Sequence, residues 1–176
     1  MDDRAIFERL AAPLQKQFFS TAVRLAGNTE DGLDIAIEGI IRGYALWKGG
    51  ERSGAFRPWI YGVLYRVYEE RQARPCRPPV WVDDLDHLAR CHRMSPLEPC
   101  FIRAGEGPVE LAIASLPNHL RSVLLLTDVE GFSYSQTAQI IQRPAAVVAM
   151  RLCQARHLLR TALRQQVSSR WLKAEG

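Results

Sequence analysis

The segment from Leu126 to Arg160 constrains this chain more than any other, because its helix-start and helix-stop signals follow one another almost without a gap. Gly131 supplies a residue free to adopt the left-handed conformation that closes a preceding helix. Ser133-x-x-Gln136 fits a capping box, in which two side chains satisfy the orphan amides of a new helix, so a helix starts near Tyr134. Thr137, Ala138, Ile140 and Ile141 give it a short apolar face, Gln142 and Arg143 are left as a turn, and Pro144, with no amide to donate, suits the first turn of the next helix. Beyond it Val148, Leu152, Ala155, Leu159 and Ala162 recur at steps of four, three, four and three, one buried stripe at helical period. Two helices joined this tightly form a helix-turn-helix, and the face opposite the stripe is left for solvent or DNA.

Charge favours DNA. From Arg143 to Lys173 there are seven basic residues and no acidic one, although the formal net charge of the whole chain is only +4. Because the run begins at the turn of the helix-turn-helix, it reads as a segment lying against phosphate rather than as a solvated helix face. With 47% hydrophobic residues the chain buries real cores, which excludes disorder throughout. No charged start with an apolar run and cleavage site appears, and the longest apolar runs fall far below the roughly 18 residues that span a bilayer. The expectation is a cytoplasmic protein without membrane insertion, its cysteines Cys76, Cys91, Cys100 and Cys153 reduced. His87, Cys91, His92 and Cys100 are ligand types close together, but their spacing matches no paired Cys-x-x-Cys pattern, so they read as incidental and no metal or other cofactor is expected.

The fold class expected is all-α: two small helical domains joined by a Pro-containing linker, the C-terminal one the helix-turn-helix. Strand alternation and Asn-Gly type hairpin turns are absent. Residues 75–108 contain six of the ten prolines and no sustained helical period, which makes them the linker between domains at 1–74 and 109–176. In the first domain Ile6, Phe7, Leu10, Leu14, Phe18, Val23 and Leu25 mark one helical segment with Pro13 as a kink or break, ended by Gly27 and Asn28. Thr29 is placed to cap a second segment with an apolar face of Leu33, Ala36, Ile37, Ile40, Ile41 and Tyr44, and with Glu30, Asp31, Asp34 and Glu38 toward solvent. After a glycine-containing loop from Lys48 to Ala55, a third segment buries Phe56, Trp59, Ile60, Val63, Leu64 and Val67. On that helix Arg57, Tyr61, Tyr65, Tyr68 and Gln72 cluster about 120° from the core. Such a stripe either stacks on unpaired bases, with arginine on the neighbouring phosphates, or covers hydrophobic surface between helices with its hydroxyls in water.

These segments together resemble an extracytoplasmic-function (ECF) sigma factor of the sigma-70 family, the initiation subunit that carries RNA polymerase to promoters. Gly32-Leu-Asp-Ile-Ala-Ile-Glu-Gly-Ile-Ile-Arg-Gly-Tyr44 is similar to the family's core-binding helix at Asp34, Glu38 and Arg42, and Phe56-Arg-Pro-Trp-Ile-Tyr-Gly-Val63 to the segment that follows it at Phe56, Arg57 and Trp59. Leu116-Pro117, Gly131-Phe-Ser-Tyr-Ser-Gln-Thr-Ala138 and Val147-Val-Ala-Met-Arg-Leu-Cys-Gln-Ala-Arg156 resemble the C-terminal motif. The resemblance implies core RNA polymerase as partner, through the clamp helices of its largest subunit and its flap region, with Asp34, Glu38 and Arg42, and Ile35 beside them, docking on the core enzyme. It implies that the loop Trp47 to Ala55 and the helix carrying Arg57, Trp59, Tyr61, Tyr65 and Tyr68 capture and melt the minus-ten element of promoter DNA. Ser133, Tyr134, Arg143, Ala146, Ala149, Met150, Arg151, Gln154 and Arg156 would contact the minus-thirty-five element, with an intramolecular ion pair as the other role open to Arg156. The family also implies an anti-sigma factor as partner.

This chain departs from the family pattern at Leu33, Ile37, Arg66 and Glu70, where an acid, Gln, Asn and Asp are usual. The outward positions of the recognition helix, Ala146, Val147, Ala149, Met150 and Cys153, lack the Arg, Lys, Asn or Gln that hydrogen-bond base edges, so T-rich or shape-based reading is expected there. No phosphate-binding glycine loop, paired catalytic acids or nucleophile elbow is evident, and catalysis is not expected. Two other functions fit part of the chain: a stand-alone helix-turn-helix regulator, or a degenerate sigma-like decoy that binds an anti-sigma factor.

Overall fold

The computed structural model describes residues 3–51, 54–73 and 107–174, and every regular element among them is helical. Residues 74–106, with most of the expected linker and with His87, Cys91, His92 and Cys100, lie outside the described residues. Helix α1, Asp3–Ala11, runs into a tight 3-10 turn, Ala12–Leu14, and then α2, Gln15–Ala26. Pro13 sits in that turn, where its missing amide removes a helical hydrogen bond. Gly27 ends α2 at φ 83°, and its amide returns to the Val23 carbonyl. The cap of α3, Thr29–Lys48, is Asn28 rather than Thr29: its Oδ1 accepts from the Asp31 amide at 2.8 Å, leaving Thr29 as the first helical residue.

The face that α3 buries differs from the one hydropathy suggests. Gly32, Ile35, Ala36, Gly39, Gly43 and Trp47 are buried, whereas Ile41 is 59% exposed and Leu33, Ile37 and Ile40 are only half-buried. Three of the six buried positions are glycines, which carry no hydropathy signal but let neighbouring helices approach. A Cβ on Gly32 would overlap the Val23 backbone of α2, one on Gly43 would overlap Ile60 Cδ1, and one on Gly39 would lie 3.3 Å from both Leu64 and Phe18. Helix α4, Phe56–Ala73, packs against this surface through Ile60, Val63, Leu64 and Val67. Its start is held by an aromatic cluster in which Phe7 meets Tyr44, Trp47 and Phe56 edge-on at 5.5–6.1 Å, and Trp59 lies 5.8 Å from Trp47. Trp47 therefore belongs to the end of α3 and to the core, not to a loop.

The C-terminal half consists of α5, Pro108–Ala114; α6, Asn118–Leu124, continued by a widened π-type turn, Leu125–Val129; α7, Tyr134–Ile140; and α8, Ala145–Ala174. It packs on the N-terminal half: α7 lies along α4, and α2 touches α5, α6 and the π-type turn. One hydrophobic cluster runs through both halves, from Phe18, Leu25 and Tyr61 to Leu116, Leu120, Phe132 and Val148.

Candidate nucleic-acid interface

The helix-turn-helix is built by local chemistry. Gly131, at φ 72°, lets the Phe132 amide reach back to the Leu126 carbonyl at 3.0 Å. Ser133 then closes a capping box: its Oγ accepts from the Gln136 amide at 3.2 Å, and Gln136 Oε1 accepts from the Ser133 amide at 3.0 Å. Gln142 turns the chain in the left-handed region, φ 52°, and the Val147 and Val148 amides donate to the Pro144 carbonyl as α8 begins. Val148, Leu152 and Ala155 are buried and Leu159 and Ala162 half-buried, so the stripe faces inward. Arg143, Ala146, Ala149, Met150, Cys153, Gln154, His157 and Arg160 are exposed, with Ser133 and Tyr134 at the near edge and Arg151 half-buried beside them. A shallow groove lined by Tyr134, Ala149, Cys153, Arg156, His157 and Arg160 lies on this face. The side chains of Arg170 and Lys173, at the end of the basic run, lie outside the described residues.

Arg156 takes the intramolecular role. Its Nε and Nη2 donate to the two carboxylate oxygens of Asp128 at 2.9 and 2.7 Å, a bidentate pair that ties α8 to the π-type turn. This hydrogen bond and the neighbouring charge hold the guanidinium pKa further above its already high ordinary value.

On the other half, Asp34, Glu38, Ile41 and Arg42 share the solvent side of α3. Arg71 of α4 donates to Glu38 at 2.9 Å and to Asp34 at 3.3 Å, while Arg42 bridges Glu38 and Glu70 at 2.6 Å each. The network fixes the acids at the surface, with Asp34 the most exposed at 59%. Ile35 does not belong to that surface: it is 2% exposed and packs in the core.

The tyrosine stripe is where expectation and structure part. Tyr61, Tyr65 and Tyr68 are between 0 and 4% exposed, because the C-terminal half covers them. Neither of the readings open to the sequence describes this state. No base reaches the rings, and the hydroxyls of Tyr61 and Tyr65 are not in water but donate to Glu130 and Glu69, each at 2.8 Å. Burial, reinforced by those carboxylates, raises both phenol pKa values far above the ordinary range, so the phenols stay protonated as donors. Burial also raises that of Tyr68, whose hydroxyl has no hydrogen-bond partner among the described residues.

The residue that organises this junction, Glu130, was not among those the sequence singled out. It follows the π-type turn, where the Glu130 amide bonds to the Leu125 carbonyl five residues back, and its side chain is only 3% exposed. Thr21 Oγ1 donates to its Oε1, and Tyr61 OH and Arg57 Nη2 donate to its Oε2, the latter at 3.0 Å. Arg57 also donates to the Glu130 carbonyl at 2.7 Å and lies 4.2 Å above the Phe132 ring, which itself meets Tyr61 edge-on at 5.0 Å. A buried carboxylate costs several kcal/mol to desolvate unless its lone pairs are filled, and here both oxygens are. Nearby, Arg121 donates to the Leu25 carbonyl at the C-terminal end of α2, where a cation suits the helix dipole, and to Leu116 O and Asn118 Oδ1. Arg57 is therefore held by Glu130, and Trp59 is half-buried in the aromatic cluster at the start of α4.

Comparison with known proteins bears on both halves. Residues 107–159 match the family described as sigma-70, region 4, a stretch that runs from α5 through the first half of α8. Over nearly the whole length, the chain is 28% identical to the RNA polymerase sigma-H factor of Pseudomonas aeruginosa, covering 92% of this chain and 88% of that protein. It is 22% identical to the ECF RNA polymerase sigma factor SigW of Bacillus subtilis, covering 92% and 91%. The fold is similar to that of the sigma factor RpoE from Bartonella quintana, solved in complex with the anti-sigma factor NepR. There the TM-score is 0.67 at 15% identity, over 90% of this chain and 96% of that one.

Proposed function

The chain belongs to the ECF group of the sigma-70 family, and from that premise we propose how its surfaces divide the work of an RNA polymerase sigma factor. Residues 1–74 act as the domain that binds core polymerase and the minus-ten element, 75–108 as linker and 109–176 as the domain for the minus-thirty-five element. One observation carries the reading: the segment that matches sigma-70 region 4 is the segment that folds as a helix-turn-helix with a basic exposed face. In this reading the protein works in the cytoplasm with the polymerase; no helix among the described residues is long and apolar enough to cross a membrane.

On the N-terminal half, Asp34, Glu38 and Arg42 form the polar part of a docking face for the clamp helices, and the exposed Ile41 takes the apolar role that the resemblance implied for the buried Ile35. On the C-terminal half, Ser133 and Tyr134 at the α7 N-terminus and Arg143 and Arg151 near the α8 N-terminus take phosphates, since the positive end of the helix dipole favours anions there. Ala146, Ala149 and Met150 read thymine methyls or groove shape, with Gln154 the polar reader. The polymerase flap receives this domain, and an anti-sigma factor controls the whole, as the complex of the structural neighbour suggests. Fluorescence-detected binding of purified core polymerase tests the docking face. Asp34→Lys reverses the most exposed charge of that face and should weaken binding by roughly tenfold, about 1.4 kcal/mol. Unchanged affinity would remove Asp34 from the interface.

A further inference from the structure

We infer that Arg66 is a base-reading residue, and that the open face of α4 around it takes the O6 and N7 edge of a guanine in the minus-ten region. The inference rests on the reading of residues 1–74 as the minus-ten domain and names the base that this domain selects at one position.

The face is separate from both the core and the tyrosines. On a wheel of 100° per residue, Trp59, Gly62, Arg66 and Ala73 fall within about 60° of one another and about 130° from the tyrosine stripe. Arg66 and Ala73 are exposed, Trp59 and Gly62 are half-buried, and nothing lies within 4 Å of where a Gly62 Cβ would stand. Gly62 sits one turn before Arg66, so the surface beside the guanidinium is open to a flat group, with Trp59 of the proposed melting set at its border.

Arg66 is also free to act. The local sequence supplies two carboxylates at the spacings where a helical arginine finds a partner, Glu69 and Glu70. Both are engaged elsewhere: Glu70 accepts from Arg42 of α3 at 2.6 Å, and Glu69 from the Tyr65 hydroxyl at 2.8 Å. Arg57 and Arg71 of the same helix are bound to carboxylates, whereas Arg66 has no hydrogen-bond or ion-pair partner among the described residues. The two departures from the family pattern on this helix are thus one arrangement: Glu70 reaches across to Arg42, and Arg66 is left unpaired.

The same acids decide what Arg66 can bind. A phosphate, or a carboxylate on a protein partner, would approach two carboxylates of like charge, which disfavours it. A base edge carries no net charge and meets no such repulsion. Guanine presents two acceptors side by side, O6 and N7, to the fork of an arginine, whereas the Asn usual at this position in the family suits adenine.

Run-off transcription by the holoenzyme of this chain and purified core polymerase, on promoter fragments randomised across the minus-ten region and read by sequencing, tests the assignment. At one position G should be favoured over the other bases by roughly ten- to hundredfold, the discrimination of one bidentate pair. Arg66→Asn, at an exposed site and with thermal melting unchanged, should bring A level with G there or above it. Arg66→Lys keeps the charge without the fork and should lose most of the preference with little loss of total transcript. At that position 7-deazaguanine, which lacks the N7 acceptor, should reduce initiation, while hypoxanthine, which keeps O6 and N7, should not. A template left mismatched across the region separates two forms of the base: preference kept there assigns the unpaired guanine, and preference seen only on full duplex assigns the paired one. A preference for G that survives in both variants, or none at any position, would overturn the assignment. So would a uniform loss over all fragments in Arg66→Asn, the mark of a phosphate contact, or a loss of core affinity, the mark of a polymerase contact. No defined transcript from any fragment would overturn the proposed function itself, and the inference with it.

Discussion

Gly32→Ala puts the packing of α3 to a quantitative test. In an ordinary helix interior the change adds up to about 1 kcal/mol of stability, because alanine loses less backbone entropy on folding than glycine. Here the added methyl would overlap the Cα and N of Val23, backbone atoms that move only if α2 moves, so no rotamer change relieves it. Overpacking of that kind costs about 1–3 kcal/mol, and a backbone collision belongs at the upper end. The net expectation is a loss of about 2 kcal/mol. In a chain of this size each kcal/mol shifts Tm by about 2–4 °C, so thermal melting followed at 222 nm should fall by about 4–8 °C. Gly62→Ala is the matched control: Gly62 lies inside α4 with nothing within 4 Å of its would-be Cβ, and the substitution should raise Tm by about 1–4 °C. Gly32→Ala melting at or above the wild type would refute the close α2–α3 contact, and with it the placement of the acidic face of α3.

Other consequences are separable. Arg143→Gln should reduce the slope of log affinity against log salt for minus-thirty-five duplex DNA by about one, whereas Arg156→Gln, already paired with Asp128, should leave the slope unchanged; equal slopes for the two variants would contradict that division. Ser133→Ala removes the α7 cap and should cost about 1 kcal/mol in thermal melts, while a neutral result would mean that the capping box contributes nothing. Burial raises the phenol pKa values of Tyr61, Tyr65 and Tyr68 above their unfolded value of about 10. Their contribution to stability is thus fully present below that pH and is lost above it, as the unfolded chain releases protons first. Tm should be flat from pH 8 to about 9.5 and fall steeply by about pH 11, and an absence of that break would mean that the tyrosines are not buried.

What the sequence made legible was local. Gly131, the Ser133–Gln136 box, Pro144 and the stripe from Val148 all act within a turn or two of themselves, and each sits in the structure as its chemistry requires. The face of α3 was misjudged because Gly32, Gly39 and Gly43 pack by absence of a side chain, and hydropathy periodicity counted Leu33, Ile37 and Ile41 instead. The tyrosine stripe lies at the expected angle on α4, but its partners are more than forty residues away across the linker, and no local period encodes that. Glu130 carried one faint signal, a lone acid between Val129 and Gly131-Phe132 near residues destined for the core. Arg121, between Leu120 and Ser122-Val123, carried the same one.

Run-off transcription with purified core RNA polymerase, on a library of promoter fragments, decides whether the chain acts as a sigma factor. Adding this protein should produce transcripts of defined start from a subset of fragments that core enzyme alone does not initiate, and Asp34→Lys should reduce them in step with its loss of core affinity. Duplex binding without any such transcript, at protein concentrations that saturate core enzyme, would contradict the assignment and leave a DNA-binding protein that is not a sigma factor.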